Sequence, residues 1–218
     1  MKKGFKLISV MLIIFGGVFL SGCSSSDGAL AKCLEKTKKA NSMEANLISM
    51  ITAKGQKVEL KMNIKVEDIK KNTKYQASMT TLGKQIDFYI AKNNESYTMY
   101  VKDKNGNYVT QSVSLSDIEG MNATESFEAY IDLIDTNPEM FTDKGNNTYE
   151  LNVPKDKVSE IFKKITGKSS TNISESLIVT FVIGDDGYLK NVDLETVGMS
   201  AKTEYLNYNK DFNIVIPN

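Results

Sequence analysis

The chain of 218 residues contains no histidine and no tryptophan, and its 27 basic residues are all lysine. Without histidine it lacks the usual general base near neutral pH and the commonest metal ligand. Without arginine it lacks the planar fork that clamps phosphate or carboxylate at two points. A serine nucleophile would need a lysine or a carboxylate as its base, and no G-x-S-x-G turn occurs. The composition therefore argues against an enzyme, implies no cofactor and offers no metal-ligand set. Nucleic acid is excluded as a partner on similar grounds, because 27 acidic residues balance the lysines and no basic block stands out. Cysteine is as scarce as the chemistry it would support, with Cys23 and Cys33 as the whole supply.

Long hydrophobic runs are scarce as well. One uncharged and largely apolar run extends from Leu7 to Leu20, behind Met1-Lys2-Lys3-Gly4-Phe5-Lys6. As a helix it measures about 20 Å, short of the roughly 30 Å of hydrocarbon that a permanent span must cross. It reads as an export signal. The residues that follow, Leu20-Ser21-Gly22-Cys23, resemble the bacterial lipobox. That resemblance implies cleavage before Cys23 and a diacylglycerol on its thiol. The protein would then be anchored to the outer face of the bacterial cell membrane, or to a periplasm-facing leaflet where an outer membrane exists. Residues 1–22 are then the signal peptide, 23–28 the lipidated cysteine and a flexible tether, and 29–218 a single α+β domain. Cleavage removes three lysines and no acid, leaving 27 − 3 = 24 bases against 27 acids, a mildly acidic chain. With Cys23 acylated, Cys33 has no partner for an internal disulfide.

Alternation dominates what remains. Val58, Leu60, Met62, Ile64 and Val66 interleave with Glu59, Lys61, Asn63, Lys65 and Glu67, the mark of a strand with one wet face. Further strands are expected over Met43–Thr52, Tyr75–Thr81, Gln85–Ala91, Ser96–Lys102, Tyr108–Val113, Tyr149–Val153, Leu177–Ile183, Leu189–Thr196, Met199–Leu206 and Phe212–Ile216. Turn chemistry at Lys54-Gly55, Leu82-Gly83, Asn105-Gly106 and Gly184-Asp185-Asp186-Gly187 joins several of them into an antiparallel meander. Asp103 to Asn107 superficially matches the opening of a calcium loop. Its glycine falls one place early and Ser114 stands where the bidentate glutamate belongs, so a hairpin turn is expected there.

Three helical stripes interrupt the strands. The first carries Leu30, Cys33, Leu34 and Thr37, placing Cys33 on a buried face. The second runs from about Ala123 to Ile134 behind an Asn122 to Glu125 capping pattern, with Phe127, Tyr130, Ile131 and Ile134 on one side and Asn137-Pro138 as its stop. The third starts at Pro154, shows Val158, Ile161, Phe162 and Ile165, and ends at Gly167.

This element order behind a lipobox resembles the half-barrel superfamily of the lipoprotein carriers LolA and LolB and the mycobacterial lipoproteins LppX and LprG. The resemblance implies an α+β fold in which one strongly curved antiparallel sheet of about ten strands wraps around about three helices. The space between sheet and helices would hold acyl chains. The lining residues expected from one strand register are Leu60, Met62, Ile64, Tyr75, Met79, Phe88, Tyr97 and Met99, facing Phe127, Tyr130 and Ile131 of the second helix. Methionine suits a cavity with changing contents because its thioether is flexible and polarizable. Two function classes stay open: a membrane-anchored envelope lipoprotein that binds or carries a lipid or other apolar ligand, and an interaction module with a filled core. The sequence names no protein partner.

Overall fold

A computed structural model of the chain describes residues 28–53, 55–93, 96–113, 123–166 and 175–217. Cys23, Asn122, Gly167 and the stretch 168–174 lie outside these residues. Among the described residues there are eleven strands and three α-helices, the α+β class expected from the pattern. They fall into two compact units, one spanning Met1–Lys39 with Ser116–Val197 and the other Ala40–Leu115 with Gly198–Asn218.

The second, strand-rich unit holds β1 (Met43–Ala53), β2 (Gln56–Glu67), β3 (Lys74–Thr81), β4 (Lys84–Asn93), β5 (Ser96–Lys102), β6 (Tyr108–Val113) and β11 (Met199–Leu206). Their order is β6-β5-β4-β3-β2-β1-β11, each pair antiparallel. The tight connections obey turn chemistry. Leu82 and Gly83 both take positive φ, 48° and 70°, as a two-residue hairpin turn requires. At the β5–β6 turn the Asp103 carboxylate accepts from the backbone N–H of Asn105 and of Asn107, at 2.8 and 2.9 Å. That aspartate is thus the clamp of a hairpin.

The expected strand over Phe212–Ile216 does not form. Asn207, Asn209 and Asn213 sit in the left-handed region, with φ of 53°, 56° and 52°, and break the extended run. The backbone of buried Ile214 is served by side chains instead. Its N–H donates to Glu67 Oε1 at 3.0 Å, and its carbonyl accepts from Lys74 Nζ at 3.5 Å.

The first unit carries α1 (Ala29–Lys38), α2 (Ala123–Thr136) and α3 (Val158–Thr166) with β7 (Phe141–Gly145), β8 (Thr148–Val153), β9 (Leu177–Ile183) and β10 (Leu189–Thr196), in the order β10-β9-β8-β7. Strand β7 was not legible from alternation, because apart from half-buried Phe141 its residues are exposed. It pairs with β8 through Asn146 and Asn147, both at positive φ. Helix α3 begins at Val158 and not at Pro154, whose carbonyl closes a turn with Lys157 N–H at 2.9 Å. Its stripe Val158, Ile161, Phe162 and Ile165 is buried as the spacing required. Helix α2 ends at Thr136, and Pro138 opens a short 3₁₀ turn over Pro138–Met140.

On α1, Leu30, Cys33, Leu34 and Thr37 are all buried. Thr37 is anchored across the unit, its hydroxyl accepting from Leu189 N–H at 3.0 Å. Burial pushes the Cys33 thiol up to about 11 despite the hydrogen bond with Thr37. Little thiolate therefore exists at neutral pH, and a bulky maleimide should label the folded protein slowly. Cys33→Ala removes little volume and should cost on the order of 1 kcal/mol in a urea melt.

Glu44 on β1 supplies a second check. Burial raises its carboxyl, but hydrogen bonds from Asn63 and Asn207, with Lys65 and Lys210 nearby, outweigh that and hold it below the ordinary carboxylate value. A depressed folded value favours the native state above the unfolded one, and that advantage disappears as pH falls through the folded value. Thermal melts of the parent should fall more steeply on acidification than those of Glu44→Gln.

Candidate functional site

Across β2 to β5 the strand-rich unit buries one face and leaves the other largely open to solvent, with Glu67 and Ala91 as the buried residues of the second face. Directly opposed residues of an antiparallel pair share a face. Met62 stands opposite Met79, Ile64 opposite Ala77 and Val66 opposite Tyr75. Ala77 in turn opposes Phe88, Tyr75 opposes Ile90, and Ile90 opposes Met99, while Tyr97 opposes Val113 at β6. Leu60, Met62, Ile64, Tyr75, Met79, Phe88, Tyr97 and Met99 therefore lie on one face, and each is at most 8% exposed. The intervening positions Lys61, Asn63, Gln76, Ser78 and Asp87 are half-buried or exposed on the other.

Leu47 and Ile90 belong to the same apolar face, opposite Met62 and Met99, and both are fully buried. Sequence reasoning did not nominate them. The alternation around both was visible; the pairing register that puts them beside the nominated residues was not. On β1 and β11 the face includes two small polar groups, buried Ser49, which donates to the carbonyl of Ser200 at 3.3 Å, and buried Thr203, which opposes Leu47.

Phe127, Tyr130 and Ile131 lie on α2 in the other unit, and all three are buried. Tyr130 packs edge-on against Phe181 of β9, ring centroids 4.8 Å apart and planes at 84°, and Phe141 lies 6.5 Å from the same ring. Full burial raises the Tyr130 phenol far beyond its ordinary value, so it stays neutral. This cluster is apolar packing in which no titration occurs near neutral pH.

The strand-rich unit also opens a pocket of about 590 Å³ bounded by Glu67, Asp68, Lys74, Asp211 and Ile214. A groove of about 270 Å³ lies on the polar face, with Asp87 and Tyr89 in its wall. None of the eleven nominated residues lines either one. Among the described residues no cluster of three or more cysteine or acidic side chains has the arrangement to hold a metal ion, and no helix is long and apolar enough to cross a membrane.

No protein-family model matches the chain, and no curated protein matches it. Solved structures do. LprF from Mycobacterium bovis is 14% identical over 87% of this chain and 94% of its own, with a TM-score of 0.55. The Mycobacterium tuberculosis lipoprotein LppX is 14% identical over 87% of this chain and all of its own, with a TM-score of 0.51. LppX is one of the proteins whose superfamily the element order resembles, so two independent routes lead to the same architecture. The chain has the α+β fold of the mycobacterial proteins LprF and LppX.

Proposed function

We propose that the chain is a membrane-anchored lipoprotein of the bacterial cell envelope that binds or carries a lipid or another apolar ligand. The observation that carries this reading is the face built by Leu60, Met62, Ile64, Tyr75, Met79, Phe88, Tyr97 and Met99. It is continuous over four strands and its eight residues carry no charge; Lys92, which opposes Tyr97, stands at its exposed edge. Its three methionines bring rotatable, polarizable side chains to a surface whose contacts must change when a ligand enters or leaves. The lipobox around Cys23 supports the anchor, and the fold shared with the lipoprotein LppX supports the class.

A non-enzymatic interaction module with a filled core is the competing reading, and the low exposure of the same eight residues favours it. Alternating buried side chains are ordinarily core. Native mass spectrometry of the full chain, purified in mild detergent from bacterial membranes, separates the two. A co-purifying lipid in near-stoichiometric amount, beyond the acyl groups on the chain itself, is the expected result. Repeated recovery of the lipid-free mass alone would leave the filled core standing.

A further inference from the structure

The polar face of β2 to β6 lies opposite the proposed lipid surface, and it is organised. Register places Asn63, Ser78 and Asp87 in one row and Lys65, Gln76 and Tyr89 in the next, across three strands. Lys102 opposes Tyr108 at the far side. These residues bound the groove of about 270 Å³.

Its polar groups are held in place by one another. Gln85 Nε2 donates to Asp87 Oδ1 at 3.0 Å, and Ser78 adds a second hydrogen bond. A carboxylate has about four acceptor directions, so two stay available for further donors. Asn63 Nδ2 donates to Glu44 Oε1 at 2.7 Å and to Asn46 Oδ1 at 2.8 Å, which fixes the amide and leaves its carbonyl oxygen as an acceptor. Gln76 Nε2 donates to the Tyr89 hydroxyl at 3.4 Å. Tyr89 and Tyr108 meet edge to face, centroids 5.9 Å apart, and form an aromatic wall.

Charge adds a preference. Lys65 and Lys102 border the groove, Asp87 is the one carboxylate of its lining, and Glu44, held by Asn63, lies near Lys65 just outside it. Neither lysine is locked in a close ion pair among the described residues; their ammonium groups lie 5.8 Å from the Phe212 ring and 5.4 Å from the Tyr108 ring.

We propose that this groove is a binding site for an acidic saccharide. Neighbouring hydroxyls donate to the fixed carboxylate of Asp87, the apolar C–H face of the sugar lies on the tyrosine wall, and its acidic group is drawn by Lys65 and Lys102. Fixed amides suit hydroxyl groups: Asn63, with both N–H groups engaged, offers its carbonyl oxygen as an acceptor, and Gln76 keeps an N–H and a carbonyl oxygen beyond its bond to Tyr89. A few polar groups held rigid in a concave wall are what a small-molecule site requires. The site lies on the face opposite the proposed lipid surface, so either reading stands or falls without the other.

The test is an amide NMR titration of the full chain in detergent micelles with glucuronate and, separately, with glucose. Glucuronate should produce saturable shifts at Asn63, Gln76, Asp87 and Tyr89, and Asp87→Asn, which keeps the shape, should weaken it about tenfold. Lys65→Met with Lys102→Met should erase the preference for glucuronate over glucose, and each variant's spectrum reports whether it is folded. Absence of saturable shifts with either sugar overturns the proposal. Undiminished binding by a folded Asp87→Asn variant, or an unchanged preference in the lysine pair, does so as well.

Discussion

Replacing Met79 and Met99 together by lysine is expected to leave a folded protein that no longer retains lipid. Both side chains are 2% exposed and point to the same apolar face, Met79 between Met62 and Ile86, Met99 opposite Ile90. On a face that receives acyl chains, two ammonium groups would meet hydrocarbon without a partner. The face would admit water in place of lipid, and the ligand would be lost. In a filled core the same change buries two unpaired charges. Each then costs several kcal/mol of desolvation, against about 5 to 15 kcal/mol of total stability for a whole domain. Unfolding would follow. The measurement is a thermal melt beside a lipid extraction, for the parent and the double variant. A cooperative melt with lipid absent supports a ligand surface. Loss of the melt, with no lipid recovered from the parent, would sink it.

The reasons for legibility differ from element to element. Ser96–Lys102, Tyr108–Val113, Leu177–Ile183, Leu189–Thr196 and Met199–Leu206 were placed to the residue, because alternation and flanking turn residues mark both ends. Strand β7 carries one half-buried aromatic and four exposed residues, so it offers no period to read; pairing with β8 makes it a strand. Phe212–Ile216 errs the other way. It is rich in apolar and β-branched residues, but Asn213 turns the chain, and Glu67 and Lys74 capture the backbone groups a neighbouring strand would have taken.

Sites obey the same distinction. The eight nominated residues of β2 to β5 were readable because each strand announces its own buried face. That all eight share one face follows only from register, which is a property of pairs of strands. The polar groove was illegible for that reason. Asn63, Gln76, Asp87 and Tyr89 each read as an unremarkable solvent-side position. They become neighbours only when Asn63 is set against Ser78 and Ser78 against Asp87.

Cys23→Ala is expected to abolish lipidation altogether, the largest single effect any one residue should show. The lipobox reading makes the Cys23 thiol the acceptor of the diacylglycerol, and alanine offers no atom to which it could be attached. Membrane affinity grows by about 0.8 kcal/mol per buried CH₂, so one acyl chain binds reversibly and two hold firmly. Removing both converts a stable anchor into none. The run from Leu7 to Leu20 is too short to replace it as a span. The variant should therefore accumulate uncleaved or appear released from the membrane. On the same lipobox reading a five-residue tether over 24–28 would reach roughly 15 to 20 Å when extended and would keep the folded part of the parent close to the headgroups. Metabolic labelling with a clickable fatty acid, followed by fractionation, measures both consequences. Label persisting on the alanine variant would place the acyl group elsewhere, and an unlabelled parent would remove the anchor from the proposed function while leaving the apolar face of β2 to β5 to be judged by its lipid content.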